Sequence, residues 1–354
     1  MKFKTVCLLG GGLTIGGQER ALVFLANSLA EKGDNVFIIS LFQTSIDFDL
    51  HPSITVYFPG IDRSKMNKFI YTIRMIPFIR GLIKHNKPDA VICFGDWFNA
   101  FAIVATRGLS SKMIITNRMG PNLFLGNFVE TMNRIFYRFA DELIVQTERA
   151  KEILKKKYKV KKITVIPNPV QFVNLERRIQ KKQIITVGRL SREKGHQVLL
   201  KAIAQLRNKE WKLHLVGDGN ERPSLEQLSR ELKIDNKVVF HGRMQNFEQL
   251  LLESTIFVLP SFYEGFPNAL LEAMSLGLCC VASDCIAGPS EIITNGFNGF
   301  LFEPGNDVQL AECLNQLIED KQLINKLSNN APPSLKGFEK GTIVKQFEKA
   351  LYHN

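Results

Sequence analysis

The segment from Glu264 to Glu272, EGFPNALLE, combines two carboxylates with residues that suit the start of a helix. Gly265 lets a backbone approach a ligand closely, and Pro267 suits a first helical turn. The free N–H groups of such a turn and the positive end of the helix dipole attract an anion. If the segment is helical throughout, its two carboxylates lie roughly 12 Å apart. The segment is therefore predicted to hold a nucleotide-sugar, with phosphates at the helix end and hydroxyl groups bonded to each Glu.

Two cations follow a predicted strand at the start of the second half of the chain. Arg189 leaves the strand after Gly188, and Lys194 enters the first turn of the next helix. A cation at a helix N-terminus opposes the helix dipole, so Lys194 is poorly placed for stability alone. Both cations suit a diphosphate. The alternative is a solvated loop that carries ordinary charges.

These two motifs, GRLxxxKG at 188–195 and EGFPNxxxEA at 264–273, closely resemble those of the family-4 retaining glycosyltransferases of the GT-B type. The similarity covers essentially the whole chain in the same order, and it includes GGxER at 16–20, VGDG at 216–219, FHG at 240–242 and GxxG at 296–299.

The resemblance implies a nucleotide-sugar donor and assigns roles to several residues. Arg189 and Lys194 would neutralise the donor diphosphate, Glu264 would hold sugar hydroxyls, and Glu272 would hold the ribose. Arg189, Lys194 and Glu264, together with Asp96 on the acceptor side, are the catalytic candidates. The full set of donor-binding candidates is Gly16, Gly17, Arg189, Lys194, Glu264, Gly265, Phe266, Asn268, Ala269 and Glu272.

Glycines after the first predicted strand, GGGLTIGG at 10–17, suggest a dinucleotide site, but the pattern fails. Ile15 occupies the place of the last glycine of GxGxxG, and the second strand ends in Ile39 and Ser40 without an acidic residue. The resemblance instead implies that Gly16 and Gly17 offer bare backbone N–H groups to the β-phosphate or the acceptor. A plain tight turn explains them nearly as well.

Acceptor-side candidates follow two strands of the first half. Asp96 stands where many relatives carry His, and it could orient the acceptor hydroxyl or cap a helix. Asn117 and Arg118 follow the next strand and could bind an acceptor phosphate, although a solvated arginine is the alternative. Glu291 could either start a helix after Pro289 or lie beside the donor.

No metal and no cofactor beyond the donor are expected. Asp47 and Asp49 match the DxD pattern of metal-dependent transferases, but they lie in a polar loop outside any nucleotide-binding context. The six His show no metal-ligand spacing, and the family that the chain resembles usually needs no metal. No nucleic-acid recognition module is evident either.

Length and periodicity predict an α/β fold of two Rossmann-like domains, with doubly wound parallel sheets that face a cleft. A chain of 354 residues exceeds one ordinary core. We expect an acceptor-side domain at 1–168, a nucleotide-sugar domain at 169–334 and a last helix, about 335–354, that packs back on the first domain. Predicted strands are 3–9, 35–41, 54–58, 89–94, 112–116, 141–146, 162–166, 183–188, 211–216, 237–241, 256–260, 279–283 and 300–302. The clearest helices of the second half are 193–208 and 266–276, and residues 167–170 and 174–182 form the predicted linker.

The net charge of +12 is concentrated in the first half. Residues 1–162 hold 24 Lys and Arg against 13 Asp and Glu, whereas residues 163–354 hold 22 against 21. An anionic partner is expected, and the basic, partly apolar stretches 65–87 and 155–162 favour an anionic membrane surface at about 1 kcal/mol per basic residue. The absence of a signal peptide or a long apolar run, and six Cys without a CxxC pair, predict a cytoplasmic protein with reduced thiols that is peripheral on the inner face of the membrane.

The expected activity is transfer of a hexose or N-acetylhexosamine, with retention, from a UDP-sugar to a hydroxyl of a lipid-linked or polysaccharide acceptor. A nucleotide-sugar epimerase has the same architecture, and a phosphorylase would need orthophosphate or a pyridoxal cofactor. The alternative from another class is a non-catalytic, membrane-associated partner protein.

Overall fold

In the computed structural model the chain divides into two compact units, residues 1–168 with 341–354 and residues 169–340. The structure describes residues 4–14, 16–42, 44–61, 66–170, 181–244, 247–286 and 288–352. Most of the predicted linker at 174–182 lies outside these residues, as do Ile15 and Lys65. Each unit contains a parallel sheet flanked by helices, which confirms the predicted fold class.

Unit 1 contains a seven-stranded parallel sheet whose strand order is β3-β2-β1-β4-β5-β6-β7. Its elements are β1 (Thr5–Gly10), α1 (Gly17–Glu31), β2 (Asn35–Ser40), β3 (Thr55–Tyr57), α2 (Lys68–Asn86), β4 (Ala90–Phe94), α3 (Asn99–Thr106), β5 (Lys112–Thr116), α4 (Asn127–Phe136), β6 (Glu142–Val145), α5 (Glu148–Lys157) and β7 (Ile163–Val165). The order reverses between β1 and β4. In parallel α/β sheets, ligands bind at the carboxyl ends of the strands beside such a reversal.

Unit 2 contains a six-stranded parallel sheet whose strand order is β10-β9-β8-β11-β12-β13. The strand order reverses between β8 and β11. Its elements are β8 (Gln183–Val187), α6 (His196–Ala204), β9 (Lys212–Val216), α7 (Arg222–Glu231), β10 (Val238–Gly242), α8 (Glu248–Glu253), β11 (Ile256–Leu259), α9 (Asn268–Ser275), β12 (Cys279–Ser283), α10 (Pro289–Ile292), β13 (Phe300–Phe302), α11 (Asp307–Glu319) and α12 (Lys321–Asn330).

Both faces of each sheet are buried, which explains the continuous apolar runs of the strands. In β1, Val6 and Leu8 join the core on one face of the sheet, while Cys7 and Leu9 join the core on the other. In β12, Cys279 packs on one face and Cys280 on the other. All six cysteines are free, and all except Cys313, which is half-buried, are buried as predicted.

The last helix, α13 (Lys340–Tyr352), belongs to unit 1. Phe347 and Leu351 are buried in the same core as β1. Lys112 Nζ on β5 donates a 2.7 Å hydrogen bond to the carbonyl of Ala350. The helix begins later than the predicted 335, because a 3-10 turn, Pro332–Phe338, precedes it.

Two predicted helices of the second half are wrong at their N-terminal ends. The helix expected at 193–208 is a 3-10 turn, Arg192–Lys194, followed by α6, because Gly195 between them has a left-handed φ of 64°. The helix expected at 266–276 begins at Asn268, because Pro267 is non-helical (φ −85°, ψ 71°). Within the part of the chain that the structure describes, no helix has the length and apolar character needed to cross a membrane.

Candidate active site

The predicted donor residues of the second half lie at the reversal of the sheet in unit 2. Arg189 and Lys194 follow β8, and Glu264 follows β11, the strand that pairs with β8. The carboxyl ends of neighbouring parallel strands meet at one edge of a sheet. The topology therefore brings these three charged side chains to the place where α/β folds bind ligands.

Lys194 and Glu264 form an ion pair at this edge. Lys194 Nζ donates to Glu264 Oε1 at 2.7 Å, and the hydroxyl of Ser261 donates to the same oxygen at 2.6 Å. Glu264 is only 7% exposed, whereas the side chain of Lys194 is 27% exposed. The carboxylate is thus held by two donors on one oxygen, and the ammonium group faces partly outward.

A close approach of two loops fixes the position of Lys194. Gly195 has φ 64°, and a Cβ at this residue would lie 2.1 Å from the carbonyl oxygen of Pro260. The backbone N–H of Phe262 donates to the carbonyl of Glu193 at 2.8 Å. Only glycine allows this contact, so the residue after Lys194 locks the β8 loop onto the β11 loop.

Arg189 is exposed, and the backbone beside it is fixed by the loop after β9. The N–H of Leu190 donates to the carbonyl of Asp218 at 3.1 Å. A Cβ on Gly217 would lie 1.9 Å from the carbonyl oxygen of Gly188, and one on Gly219 would lie 2.3 Å from that of Leu190. The VGDG motif therefore supports the loop that carries Arg189.

The start of α9 differs from the anion site predicted for it. Because the residues before Asn268 are not helical, the separation of 12 Å expected for an unbroken helix does not apply. The N–H of Asn268 donates to the carbonyl of Phe266 at 3.0 Å, and the N–H of Leu270 donates to that of Pro267 at 3.0 Å. Several N–H groups of this turn are thus already used within it.

The other donor candidates of this segment lie along the same turn and helix. Phe266 is buried with its ring centroid 6.2 Å from that of Phe338. The half-buried residues are Gly265, Asn268, Ala269 and Glu272. Their ligand contacts stay predictions.

Glu291 occupies the third position of α10 after Pro289, as the helix-start interpretation predicts. Its side chain is exposed. A Cβ on Gly288, the residue before this helix, would lie 2.6 Å from Cδ of Pro267, so the starts of α10 and α9 are in contact. Glu291 therefore lies near the Glu264 segment, and its role toward a donor stays a prediction.

The glycine candidates of unit 1 stand at the start of α1. Gly16 precedes the helix, and Gly17 is its first residue. Gln18 Nε2 donates to the carbonyl of Phe94 at 2.8 Å, which ties the helix start to the end of β4. A Cβ on Gly16 would lie 2.2 Å from a carboxylate oxygen of Glu19. The turn thus lies at the reversal of the sheet in unit 1.

Asp96 lies at the same edge but is buried, with 3% exposure. Asn117 Nδ2 donates to its Oδ1 at 2.5 Å, and the N–H groups of Arg118 and Met119 donate to its Oδ2 at 3.1 and 3.3 Å. Burial raises the pKa of this carboxyl, although these hydrogen bonds oppose the shift. The helix-cap alternative is wrong, because Phe98 precedes α3 and Asp96 instead joins the ends of β4 and β5.

Arg118 is 9% exposed, so the alternative of a solvated arginine is wrong. Its Nη1 donates to Asn168 Oδ1 at 2.8 Å, and its guanidinium lies 5.0 Å from the ring centroid of Phe94 and 5.7 Å from that of Phe347. Burial lowers its pKa to about 10. Arg118 therefore packs strands of unit 1 against α13, and the acceptor roles of Asp96, Asn117 and Arg118 stay predictions.

Ser261 is the main contact that sequence reasoning missed. It is fully buried, its hydroxyl donates to Glu264, and its backbone carbonyl accepts a hydrogen bond from the hydroxyl of Ser283 at the end of β12. A small polar residue directly after the predicted strand 256–260 was the available signal. Among the described residues no cluster of three or more His, Cys, Asp or Glu could hold a metal ion, and Asp47 and Asp49 are exposed.

Comparison with known proteins shows the class to which this architecture belongs. The family model described as glycosyl transferases group 1 matches residues 169–333, and the model described as glycosyltransferase family 4 matches residues 15–172. An uncharacterized glycosyltransferase of Haemophilus influenzae is 30% identical over 326 residues, which covers 89% of this chain and 90% of the relative. The chain therefore belongs to the glycosyltransferases of this family.

Other relatives agree in sequence and fold. An α-1,4-N-acetyl-D-galactosaminyltransferase of Campylobacter jejuni, named for an undecaprenol-diphosphate-linked substrate, is 29% identical over 350 residues and covers 96% of both chains. The solved lipopolysaccharide outer core galactosyltransferase WaaB superposes with a TM-score of 0.81 at 24% identity, covering 98% of this chain and 99% of that one. The Anabaena protein Alr3699/HepE in complex with UDP gives a TM-score of 0.79 at 20% identity over 98% and 99% of the two chains. The fold is thus GT-B.

Proposed function

We propose that this glycosyltransferase moves a hexose or N-acetylhexosamine from a UDP-sugar to a hydroxyl of a lipid-linked or polysaccharide acceptor, with retention of the anomeric configuration. The observation that carries the proposal is the Lys194–Glu264 ion pair at the reversal of the sheet in unit 2. The partly exposed ammonium group of Lys194 and the exposed Arg189, both on the loop after β8, suit the diphosphate of a nucleotide-sugar.

The geometry supports separate roles for the two partners of the pair. An ammonium group has three donors, and Lys194 uses one of them on Glu264, so a phosphate oxygen could accept another. Glu264 Oε1 accepts from both Lys194 and Ser261. In the proposal its other oxygen accepts from a hydroxyl of the donor sugar, and Glu272 accepts from the ribose.

In the reaction the bond from the anomeric carbon to the diphosphate oxygen breaks, and the acceptor oxygen bonds to that carbon on the same face. The acceptor proton passes to the leaving diphosphate oxygen. Arg189 and Lys194 stabilise the negative charge that grows on this diphosphate, which is the type of interaction that contributes most to such catalysis. No metal or other cofactor takes part in the proposal.

The acceptor class is inferred from charge and from relatives. The excess of basic residues lies almost entirely in residues 1–162, which favours an anionic acceptor. The Campylobacter relative is named for a diphosphate-linked polyprenol and WaaB for lipopolysaccharide. A phosphate-bearing lipid glycan fits both indications.

A thermal-shift panel of UDP, GDP and their sugars tests the donor. We expect UDP and UDP-sugars to raise the Tm, because ligand binding to the native state stabilises it. If none of these nucleotides stabilises the protein, the enzyme proposal fails. Release of a free sugar or an epimer without an acceptor would instead support an epimerase.

A further inference from the structure

A cavity of about 570 Å³ opens on unit 1, and its described lining residues all belong to that unit. Its size lies in the range of small-molecule binding sites. It is formed by the end of β2, by α2, by the start of α3 and by the start of α4. Its lining residues include Phe42, Met75, Trp97, Phe98, Phe101 and Phe128.

The cavity is lined by aromatic and aliphatic side chains, and no charged side chain is among its described lining residues. The hydroxyl of Tyr71, one of its few polar groups, donates to the carbonyl of Leu41 at 2.5 Å. Such a surface offers little to a sugar or a nucleotide, which need hydrogen-bond partners. It suits a hydrocarbon chain, whose removal from water is favourable.

The surface around the cavity has the character of a lipid-facing region. Ile70 and Ile73 on α2 are both 50% exposed, and Phe124 before α4 is 65% exposed. Arg74, which directly follows Ile73 on α2, is exposed as well. Exposed apolar side chains beside an exposed arginine, on the unit that holds the net positive charge, complement an anionic lipid.

The cavity lies at the carboxyl edge of the sheet. Phe42 follows β2, and Trp97 and Phe98 follow β4 directly after Asp96. Gly11, which follows β1, leaves room for the rings of Phe42 and Phe98. A Cβ at this residue would lie 3.1 Å from the ring of Phe98 and 3.4 Å from that of Phe42. A chain in the cavity would therefore bring its polar head to the edge where the acceptor candidates lie.

We propose that this cavity binds the hydrocarbon chain of the acceptor lipid, with the phosphate-bearing head of that lipid at the carboxyl edge of the unit 1 sheet. The identity of the lipid as acceptor rests on the proposed function. Binding of the chain itself does not, because it depends only on the cavity.

Trp97 is a built-in reporter of the cavity. The chain has only two Trp, and Trp211 is buried in unit 2, while Trp97 is 45% exposed at the cavity. In a Trp211→Phe variant, we expect farnesyl phosphate, below its micellar concentration, to shift the emission of Trp97 to shorter wavelength in a saturable way. Methyl phosphate should give no shift, because it has the head without the chain. No saturable shift with farnesyl phosphate would overturn the proposal.

Two exposed phenylalanines provide a matched pair of variants. Phe128 lines the cavity and is 52% exposed, whereas Phe124 does not line it and is 65% exposed. Phe128→Ser should weaken binding of farnesyl phosphate about tenfold, while Phe124→Ser should leave it within about twofold. Equal effects of the two substitutions would contradict a specific site. Another contradicting result would be that the wild-type protein self-associates and binds no farnesyl phosphate, while Phe128→Ser makes it dissociate. The cavity would then be an interface between copies of the chain.

Transfer assays separate this inference from the proposed function. Two acceptors with the same glycosyl diphosphate head should be compared, one on a two-carbon alkyl group and one on a farnesyl chain. We expect a KM at least about tenfold lower for the farnesyl acceptor, and this preference should be lost in Phe128→Ser. Transfer to both acceptors with equal KM would overturn the inference and leave the proposed function intact. Transfer to neither, with binding of farnesyl phosphate retained, would contradict the proposed function alone.

Discussion

At the scale of single residues, the ion pair of Lys194 and Glu264 contributes to stability and, in the proposed function, to catalysis. Glu264 is buried, and its Oε1 accepts from both Lys194 and Ser261. A buried carboxylate that loses a partner is costly, so the cation is tied to the fold. The same cation is partly exposed, and in the proposed function it contacts a phosphate of the donor. One substitution therefore affects both properties, and they must be measured separately.

We predict that Lys194→Ala lowers kcat by about 10²–10³-fold, which corresponds to about 3–4 kcal/mol of lost stabilisation of the leaving diphosphate. The measurement is steady-state transfer from a UDP-sugar at saturating donor, with the Tm recorded on the same samples. Near-normal turnover of this variant would show that the assignment of Lys194 is wrong.

Lys201→Ala is the control for this substitution. Lys201 lies on the exposed side of α6, seven residues along the chain from Lys194. The substitution Lys201→Ala removes one positive charge from the same region and leaves the partners of Glu264 in place, so kcat should change by less than about twofold.

His196, the first residue of α6, makes stability depend on pH. It is 2% exposed, and burial, with a smaller contribution from Lys194, lowers its pKa to about 4. In the unfolded chain a histidine has a pKa of about 6.5. The stabilisation from this group is therefore complete above pH 6.5 and is lost as the pH falls from 6.5 towards 4, by up to about 3 kcal/mol.

We predict that His196→Gln makes the Tm less dependent on pH between 7 and 5 than in the wild type. His85→Gln, at an exposed position near the end of α2, is the matched control and should leave the slope unchanged. The readout is the slope of Tm against pH from calorimetry, so a constant loss of stability in the variant does not affect it. An unchanged slope in His196→Gln would contradict the pH argument.

At the scale of elements, the glycine between the 3-10 turn and α6 determines where Lys194 lies. Gly195→Ala would place Cβ 2.1 Å from the carbonyl oxygen of Pro260 at a φ of 64°. We predict a loss of more than about 3 kcal/mol in the free energy of unfolding, since the strained φ and the backbone clash act together. Denaturant unfolding measures this loss of free energy. Binding of UDP should also weaken in the same variant.

Gly81→Ala is the control, because Gly81 lies within α2 and a Cβ there meets no atom within 4 Å. It should raise stability by about 0.5–1 kcal/mol. If both substitutions shift the free energy of unfolding by similar amounts, the close contact between the β8 and β11 loops is not important for the fold.

Strands were predictable in this chain, and helix starts were less so. Buried parallel strands appear in the sequence as short apolar runs, and the thirteen strands of the two sheets fall at the predicted places. The starts of α6 and α9 depend on the backbone at Gly195 and Pro267, where tertiary contacts decide the conformation. The contacts of Asp96 with Asn117 and Arg118 join residues more than twenty positions apart, and no local pattern predicts them.

At the scale of the whole molecule, the uneven charge predicts binding to anionic membranes. We expect the protein to bind vesicles containing phosphatidylglycerol at low salt, to bind neutral phosphatidylcholine vesicles weakly, and to dissociate at high salt because salt screens the attraction. Co-sedimentation measures the bound fraction. Equal binding to neutral and anionic vesicles would contradict an electrostatic origin.

Charge reversals test whether the basic stretch 155–162 is the predicted membrane-binding surface. Replacing Lys155, Lys156 and Lys159, which are exposed in unit 1, by Glu should weaken vesicle binding by at least about 1 kcal/mol per residue. The matched variant replaces three exposed lysines of unit 2 by Glu, Lys321, Lys326 and Lys336. Both variants have the same net charge, so an equal loss of binding would show that no particular surface is involved.

The most direct test of the central claim is the product of a single reaction. The protein is incubated with a panel of UDP-sugars and a polyprenyl-diphosphate glycan acceptor, and the product is identified by mass and by the anomeric coupling constant in NMR. We predict that one hexose or N-acetylhexosamine is added and that its linkage keeps the α configuration of the donor. A product of inverted configuration would contradict the same-face substitution, and the absence of any transfer, with UDP bound, would contradict the assignment of Arg189, Lys194 and Glu264 to sugar transfer.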